Sequence, residues 1–213
     1  MLSALIGRDY PMNVRSRQAR QGEAMPESSP ENRIIRRILR VNHAGEHGAV
    51  SIYSAQIAWA RKRAPDILDW LEDTIGHEQK HREMFRSAMP ERLAKPCRLI
   101  SVWSVGGTVL GWLTVRMGRA GVMACTAAVE RTVHKHLVEQ QAFLERHDVA
   151  LLGIVQSVQV DEDMHLAHAE ANLEGGGWLA KAIYPLVAAA TEFMIFVSTR
   201  GDSLRLRTAM KAA

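Results

Sequence analysis

Two copies of one spacing constrain this chain more than any other feature. Glu46 is followed by Glu78, and His81 stands three positions beyond Glu78. Glu130 is followed at the same interval by Glu162, and His165 stands three positions beyond Glu162. The second set thus repeats the first position for position, and Glu-x-x-His occurs nowhere else in the chain. A carboxylate and an imidazole three positions apart lie roughly 60° apart round a helix, so both can reach one point.

The sequence around each glutamate has helical periodicity. Ile35, Ile38, Asn42, Glu46, Ala49, Tyr53 and Gln56 recur at steps of three and four, which predicts a helix over about 32–62. Ser29, Pro30 and Glu31 before it resemble a helix start. Leu68, Leu71, Ile75, Glu78 and Phe85 predict a second helix over about 66–88, restarted by Pro65 and Asp66. Met123, Thr126, Glu130, Val133, Leu137, Gln140 and Leu144 predict a third over about 119–146. Leu151, Val155, Val158, Glu162, His165, Ala169 and Leu173 predict a fourth over about 149–174, ended by Gly175, Gly176 and Gly177. Each of the four glutamates therefore sits in the middle of an apolar stripe, where a core residue belongs.

A buried carboxylate is costly unless it is paired or protonated. Four at equivalent positions need one common explanation, and two metal ions supply it. One Glu from each of two helices, with Glu-x-x-His from each of the other two, is the ligand pattern of ferritin-like di-metal bundles. The candidate ligands are Glu46, Glu78, His81, Glu130, Glu162 and His165. Carboxylate-rich ligation with two imidazoles favours iron or manganese over zinc or copper.

Other residues rank lower. His43, His47 and His77 neighbour the ligands in sequence but are expected to point elsewhere on their helices. Asn42, Asp161 and His136 are candidates for supporting the ligands, His136 also for a redox relay. Cys125 reads as a small core residue. Gly45 and Gly48 beside Glu46 serve either close helix packing or space near the carboxylate.

Two further segments are strongly apolar. No charge lies between Arg98 and Arg116. That interval is short for a membrane span, which needs roughly 20 apolar residues. The segment 98–117 is therefore expected to lie buried or in the membrane plane rather than to cross. The last helix, about 178–200, carries Pro185 and is interrupted by Lys181 and Glu192, so packing on the bundle with part of its face on lipid fits better than a span. The fold class expected is all-α: a ferritin-like four-helix bundle with two additional apolar, membrane-associating helices.

Residues 1–31 are expected to be a flexible lead-in, 32–200 the di-metal domain, and 201–213 a basic tail. The arginines of residues 1–22 faintly resemble a mitochondrial transit segment, although a short disordered lead-in is the plainer reading. The net charge of +4 comes with no aromatic stacking pattern or nucleic-acid motif, so a nucleic-acid partner is not expected. Basic ends beside apolar helices suit an anionic membrane surface instead. Cys97 and Cys125 have no metal-like spacing and suggest no disulfide framework, which fits a reducing compartment.

The strings RVNHAGEHGA (40–49), HEQKH (77–81), MACTAAVE (123–130) and DEDMH (161–165) resemble those of the 5-demethoxyubiquinone hydroxylases of ubiquinone biosynthesis. The resemblance covers about 33–200. It implies a di-iron monooxygenase with two iron ions, using dioxygen to hydroxylate the ring of 2-polyprenyl-3-methyl-6-methoxy-1,4-benzoquinol. It also implies that the six candidate ligands hold the iron. A peripheral membrane protein follows, on the cytoplasmic face of a bacterial inner membrane or, alternatively, the matrix face of a mitochondrial one. Its partners would be the quinol, the membrane surface, and a second copy or another protein of the quinone pathway. One departure stands out: some family members read His-Tyr where this chain has His136-Leu137. The chief rival is a ferritin-like ferroxidase or iron-binding protein, and a metal-free structural bundle at the membrane is a second.

Overall fold

A computed structural model describes residues 29–173, 178–198 and 208. It contains helices α1 (Pro30–Arg63), α2 (Leu68–Ser87), α3 (Ile100–Thr114), α4 (Gly118–His147), α5 (Val149–Ala171) and α6 (Trp178–Ser198). Short 3-10 turns at Pro65–Ile67, Pro90–Arg92 and Val115–Met117 link them, and no strand occurs among the described residues. The flexible lead-in expected over 1–31 and the basic tail expected over 201–213 lie outside the described residues, apart from 29–31 and 208. So does the glycine turn at 175–177.

The helix starts have local causes. The Ser29 hydroxyl accepts a hydrogen bond from the Asn32 backbone N–H, and Pro30 occupies the first turn of α1, where its missing N–H costs nothing. Asp148 ends α4 and caps α5 by accepting from the Leu151 N–H. The same carboxylate pairs with Arg92 in the turn after α2, so one side chain ties the two helical hairpins together.

The helix pairing follows the repeat. α1 packs along α2, and α4 along α5. An apolar helix lies outside each pair: α3 on α1, and α6 on α4. Shifting α3 by the interval that separates the two motifs lands it within α6, so the chain is built as two similar three-helix halves. Because α1 and α4 are covered on several sides, they are buried beyond the single stripes expected of them. Every residue of α4 from Gly121 to Glu130 is buried. In α1, Ile34, Leu39, Ala44 and Ile52 are buried alongside the expected stripe.

The segment 98–117 is one α-helix only over Ile100–Thr114, and a 3-10 turn takes up Val115–Met117. It presents small residues to α1. A methyl group on Gly107 would lie 2.3 Å from the Gly48 carbonyl oxygen, and one on Gly111 would lie 2.6 Å from the Ile52 carbonyl oxygen. Backbones this close exclude any side chain. Gly48 faces the Trp103 ring, 3.0 Å from where its own methyl would sit, whereas nothing lies within 4 Å of that position at Gly45. Of the two roles open to this glycine pair, close packing belongs to Gly48 and open space to Gly45.

The outer face of α3 exposes Val102, Val105, Val109, Trp112 and Leu113, and α6 exposes Leu186, Phe193 and Phe196. No helix among the described residues is long and apolar enough to cross a membrane. Pro185 lies inside α6.

Gly107→Ala should lower stability by about 1–3 kcal/mol, because backbone would have to move to admit the methyl. Gly106→Ala, with open space around it, should be neutral or stabilising by up to about 1 kcal/mol. Urea unfolding of the two variants side by side checks this; equal midpoints would contradict the close α1–α3 approach.

Candidate metal centre

The four central helices bring all six candidate ligands to one place. α1 supplies Glu46, α2 Glu78 and His81, α4 Glu130, and α5 Glu162 and His165. All are at most 6% exposed in an otherwise apolar core. Their ligand atoms form two overlapping groups. Glu46, Glu78, His81 and Glu162 make one, and Glu78, Glu130, Glu162 and His165 make the other. Within each group the atoms lie within 4.8 Å of one another. Glu78 and Glu162, the glutamates of the two Glu-x-x-His motifs, belong to both.

The imidazoles turn the same atom inward. His165 Nδ1 lies 3.3 Å from Glu78 Oε1 and 3.4 Å from Glu162 Oε2, and His81 Nδ1 lies 3.3 Å from Glu162 Oε1. These are attractive distances between charges, but they lack hydrogen-bond geometry. His81 Nδ1, His165 Nδ1, Glu78 Oε1 and Glu162 Oε2 are all buried without a hydrogen-bond partner. Buried polar atoms left unpaired are costly and rare. Here they converge from different helices, and a cation bound among them would satisfy all four. The donor set therefore fits a pair of metal ions of the iron or manganese type.

The other imidazole nitrogen is occupied in both cases. His81 Nε2 lies 2.9 Å from Asp161 Oδ2, and His165 Nε2 lies 3.0 Å from His77 Nδ1. Asp161 thus takes the supporting place expected for it. His77 does not point elsewhere: its ring meets that of His165 edge to edge, nearly parallel, with centroids 5.3 Å apart. On a helix, the residue just before Glu78 looks misdirected, because the partner that it reaches belongs to another helix. His43 and His47 do stay outside the cluster and pack against each other, centroids 4.9 Å apart. Asn42 bonds reciprocally with Gln140. Tyr53 was legible only as a stripe residue, yet its hydroxyl donates to Glu130 Oε1 at 2.9 Å. Cys125 is a buried core thiol, pushed up to about 12 by burial.

The clustered carboxylates and imidazoles shift one another's proton affinities. Burial, and then the facing Glu78 and Glu162, push the Glu46 carboxyl well above the usual range. Burial, with Glu162 and Glu78 nearby, does the same to Glu130. Burial also works against ionisation of Glu162, but the imidazoles of His165 and His81 outweigh it and hold that carboxyl low. Burial disfavours His165 as a cation, yet Glu162 and Glu78 raise it to about 9.

A cavity of about 290 Å³ lies against the cluster. Glu46, Glu78, Glu130 and Glu162 form its polar end. Apolar side chains such as Ile52, Leu110, Val129 and Val133 line the remainder. Gly106 of α3 and Phe193 of α6 also line it and are themselves exposed, so the cavity reaches the surface between the two outer helices. His136 sits on this wall rather than against the ligands, with Nε2 3.4 Å from a Glu192 carboxylate oxygen.

A helical bundle with two histidines and four glutamates buried as overlapping tetrads has the donor arrangement of the ferritin-like di-metal carboxylate class. Residues 33–198 match the family model described as ubiquinone biosynthesis protein COQ7, and the chain belongs to that family. It is 31% identical over 173 residues to the "NADPH-dependent 3-demethoxyubiquinone 3-hydroxylase, mitochondrial" of Dictyostelium discoideum, covering 80% of this chain and 79% of the relative. It is 32% identical over 170 residues to the "3-demethoxyubiquinol 3-hydroxylase" of Rhodospirillum rubrum, covering 78% of each. The enzyme of the same name from Cupriavidus taiwanensis is 28% identical over 202 residues, covering 93% of this chain and 94% of the relative.

Because a bound cation must displace the protons held by His165, Glu46 and Glu130, metal affinity should rise with pH through the range in which His165 gives up its proton, near pH 9. Calorimetric titration of the metal-free chain with Mn²⁺ at about pH 6, 7.5 and 9 checks this. The affinity should be weakest at the lowest pH, with protons released on binding. A pH-independent affinity would exclude these groups as the binding site.

Proposed function

We propose that this chain is a di-iron monooxygenase that hydroxylates the ring of a demethoxyubiquinol, a 2-polyprenyl-3-methyl-6-methoxy-1,4-benzoquinol, with dioxygen. The observation that carries the reading is the pair of overlapping tetrads at the closed end of an apolar cavity. It stands in a chain whose relatives are named as 3-demethoxyubiquinol and 3-demethoxyubiquinone 3-hydroxylases. Glu46, Glu78, His81, Glu130, Glu162 and His165 would hold two iron ions, with Glu78 and Glu162 shared between them. When bound and reduced, the iron pair supplies the activation of dioxygen that no amino-acid side chain can provide.

The chain's own residues supply the rest. The cavity is at the lower edge of the roughly 300–1,000 Å³ typical of small-molecule sites, which suits a single substituted ring. Its apolar walls exclude water and take the ring face. Asn42, Gln140 and His136 are among the polar groups on the wall, the first two offering the amide positions left over from their mutual pair to the ring hydroxyls. Tyr53 presents its hydroxyl proton to Glu130 Oε1 and fixes that carboxylate's orientation. The ring would enter between α3 and α6, and the polyprenyl tail would leave along the apolar faces that these helices expose.

Those exposed valines, leucines and phenylalanines support a peripheral membrane placement; the face would be the cytoplasmic one of a bacterial inner membrane or, alternatively, the matrix face of a mitochondrial one. On this reading residues 32–200 are the di-metal domain, and the quinol arrives from the lipid. A second copy or another quinone-pathway protein would be the protein partner.

Quinone profiling of cells that lack this protein tests the function. Demethoxyubiquinone should accumulate and ubiquinone should fall. Re-expression of the native chain should restore the pool, and Glu162→Ala or His165→Ala should not, with less than about 1% of native hydroxylation. A normal ubiquinone pool without the protein, or full rescue by either variant, would contradict the assignment.

A further inference from the structure

We propose that the two metal positions are unequal, and that Asp161 and His77 are the positioning residues that make them so. The inference rests on the reading of the six residues as a two-ion site. It comes from a feature of the repeat that ligand spacing does not reveal. The residue just before each motif glutamate supports the histidine of the other motif. Asp161 precedes Glu162 and holds His81 Nε2 at 2.9 Å. His77 precedes Glu78 and holds His165 Nε2 at 3.0 Å. The two supporting residues are separated by the same interval as the two motif glutamates. The same place in each half therefore does the same job with different chemistry.

With Nδ1 turned toward the cluster, each ligand histidine must carry its proton on Nε2 and donate it outward. A carboxylate acceptor draws that proton strongly and makes Nδ1 a better metal donor. A neutral imidazole acceptor does so weakly. His77 can accept only through an unprotonated Nδ1, and its ring meets that of His165 edge to edge, with planes 17° apart, as an in-plane N–H···N bond requires. The second position is weakened from another side as well. Tyr53 donates to Glu130, which belongs to the His165 group alone, and so withdraws electron density from that carboxylate. Both differences have the same sign. The position of Glu46 and His81 binds the tighter ion and fills first, and the position of Glu130 and His165 fills second.

Changes to residues behind a metal ligand typically alter affinity 10–100-fold, so the two steps should lie about tenfold apart or more. Fe²⁺ titrated anaerobically into the metal-free, full-length chain and followed by calorimetry reads them directly. The native chain should show two separated steps. His77→Asp places a carboxylate behind His165 and should tighten the second step about tenfold. His77→Gln keeps a neutral acceptor and should leave both steps within about twofold. Asp161→Asn removes the charge behind His81 and should weaken the first step about tenfold. Circular dichroism of each variant confirms the helical fold. Two equal steps in the native chain would overturn the proposal without reference to any variant, as would a folded His77→Asp chain whose second step is unchanged. A native chain that binds no Fe²⁺ at all would instead refute the six-residue site itself.

Discussion

Four carboxylates within a few ångströms, in a core that excludes water, are the constraint on which this molecule depends. Like charges that close cannot all ionise in a low-dielectric interior. Burial and the neighbouring carboxylates accordingly raise the proton affinity of Glu46 and Glu130, and Glu162 and Glu78 raise that of His165. Four inward-facing atoms also lack hydrogen-bond partners. Two cations would resolve both problems at once, replacing protons with charge at the centre of the cluster. A demand for positive charge is thus an electrostatic fault built into the core.

The architecture follows from the need to surround that fault with apolar material. α1 and α4 contribute one glutamate each and are covered on several sides, by a motif-bearing helix and by an outer helix. The outer helices have two tasks. Their inner faces seal the site: α3 approaches α1 so closely that Gly107 and Gly111 admit no side chain. Their outer faces remain apolar, and the cavity reaches the surface between them. A substrate with a long hydrocarbon tail can approach such an opening from lipid, whereas an ion-storage protein has no use for it.

Much of this was legible in the chain. The stripes through Glu46, Glu78, Glu130 and Glu162 are periodic, and the helices fall within a few residues of the expected bounds. The part that was not legible concerns contacts between helices. Gly45 and Gly48 look interchangeable in sequence, yet one faces open space and the other faces Trp103. His77 stands 100° from its neighbour Glu78 on α2, which suggests a residue pointing away, but α5 brings His165 to it. Tyr53 reads as another core aromatic until α4 places Glu130 at its hydroxyl. The segment between Arg98 and Arg116 carries no charge, and only its contact with α1 distinguishes the face that packs from the face that stays exposed.

The division has a physical origin. Side-chain direction along a helix is local: 100° of rotation per residue decides which side chains share a face, and a spacing of three puts a carboxylate beside an imidazole. Residue order alone therefore decided the all-helical class, the six candidate ligands and their suitability for metal. Docking between helices is long-range, and it decided which glutamates belong to both tetrads, which nitrogen of each histidine faces inward, and what stands behind it. The carboxylate behind His81 and the imidazole behind His165 are adjacent to ligands in sequence, but each acquires its role from a helix of the other half.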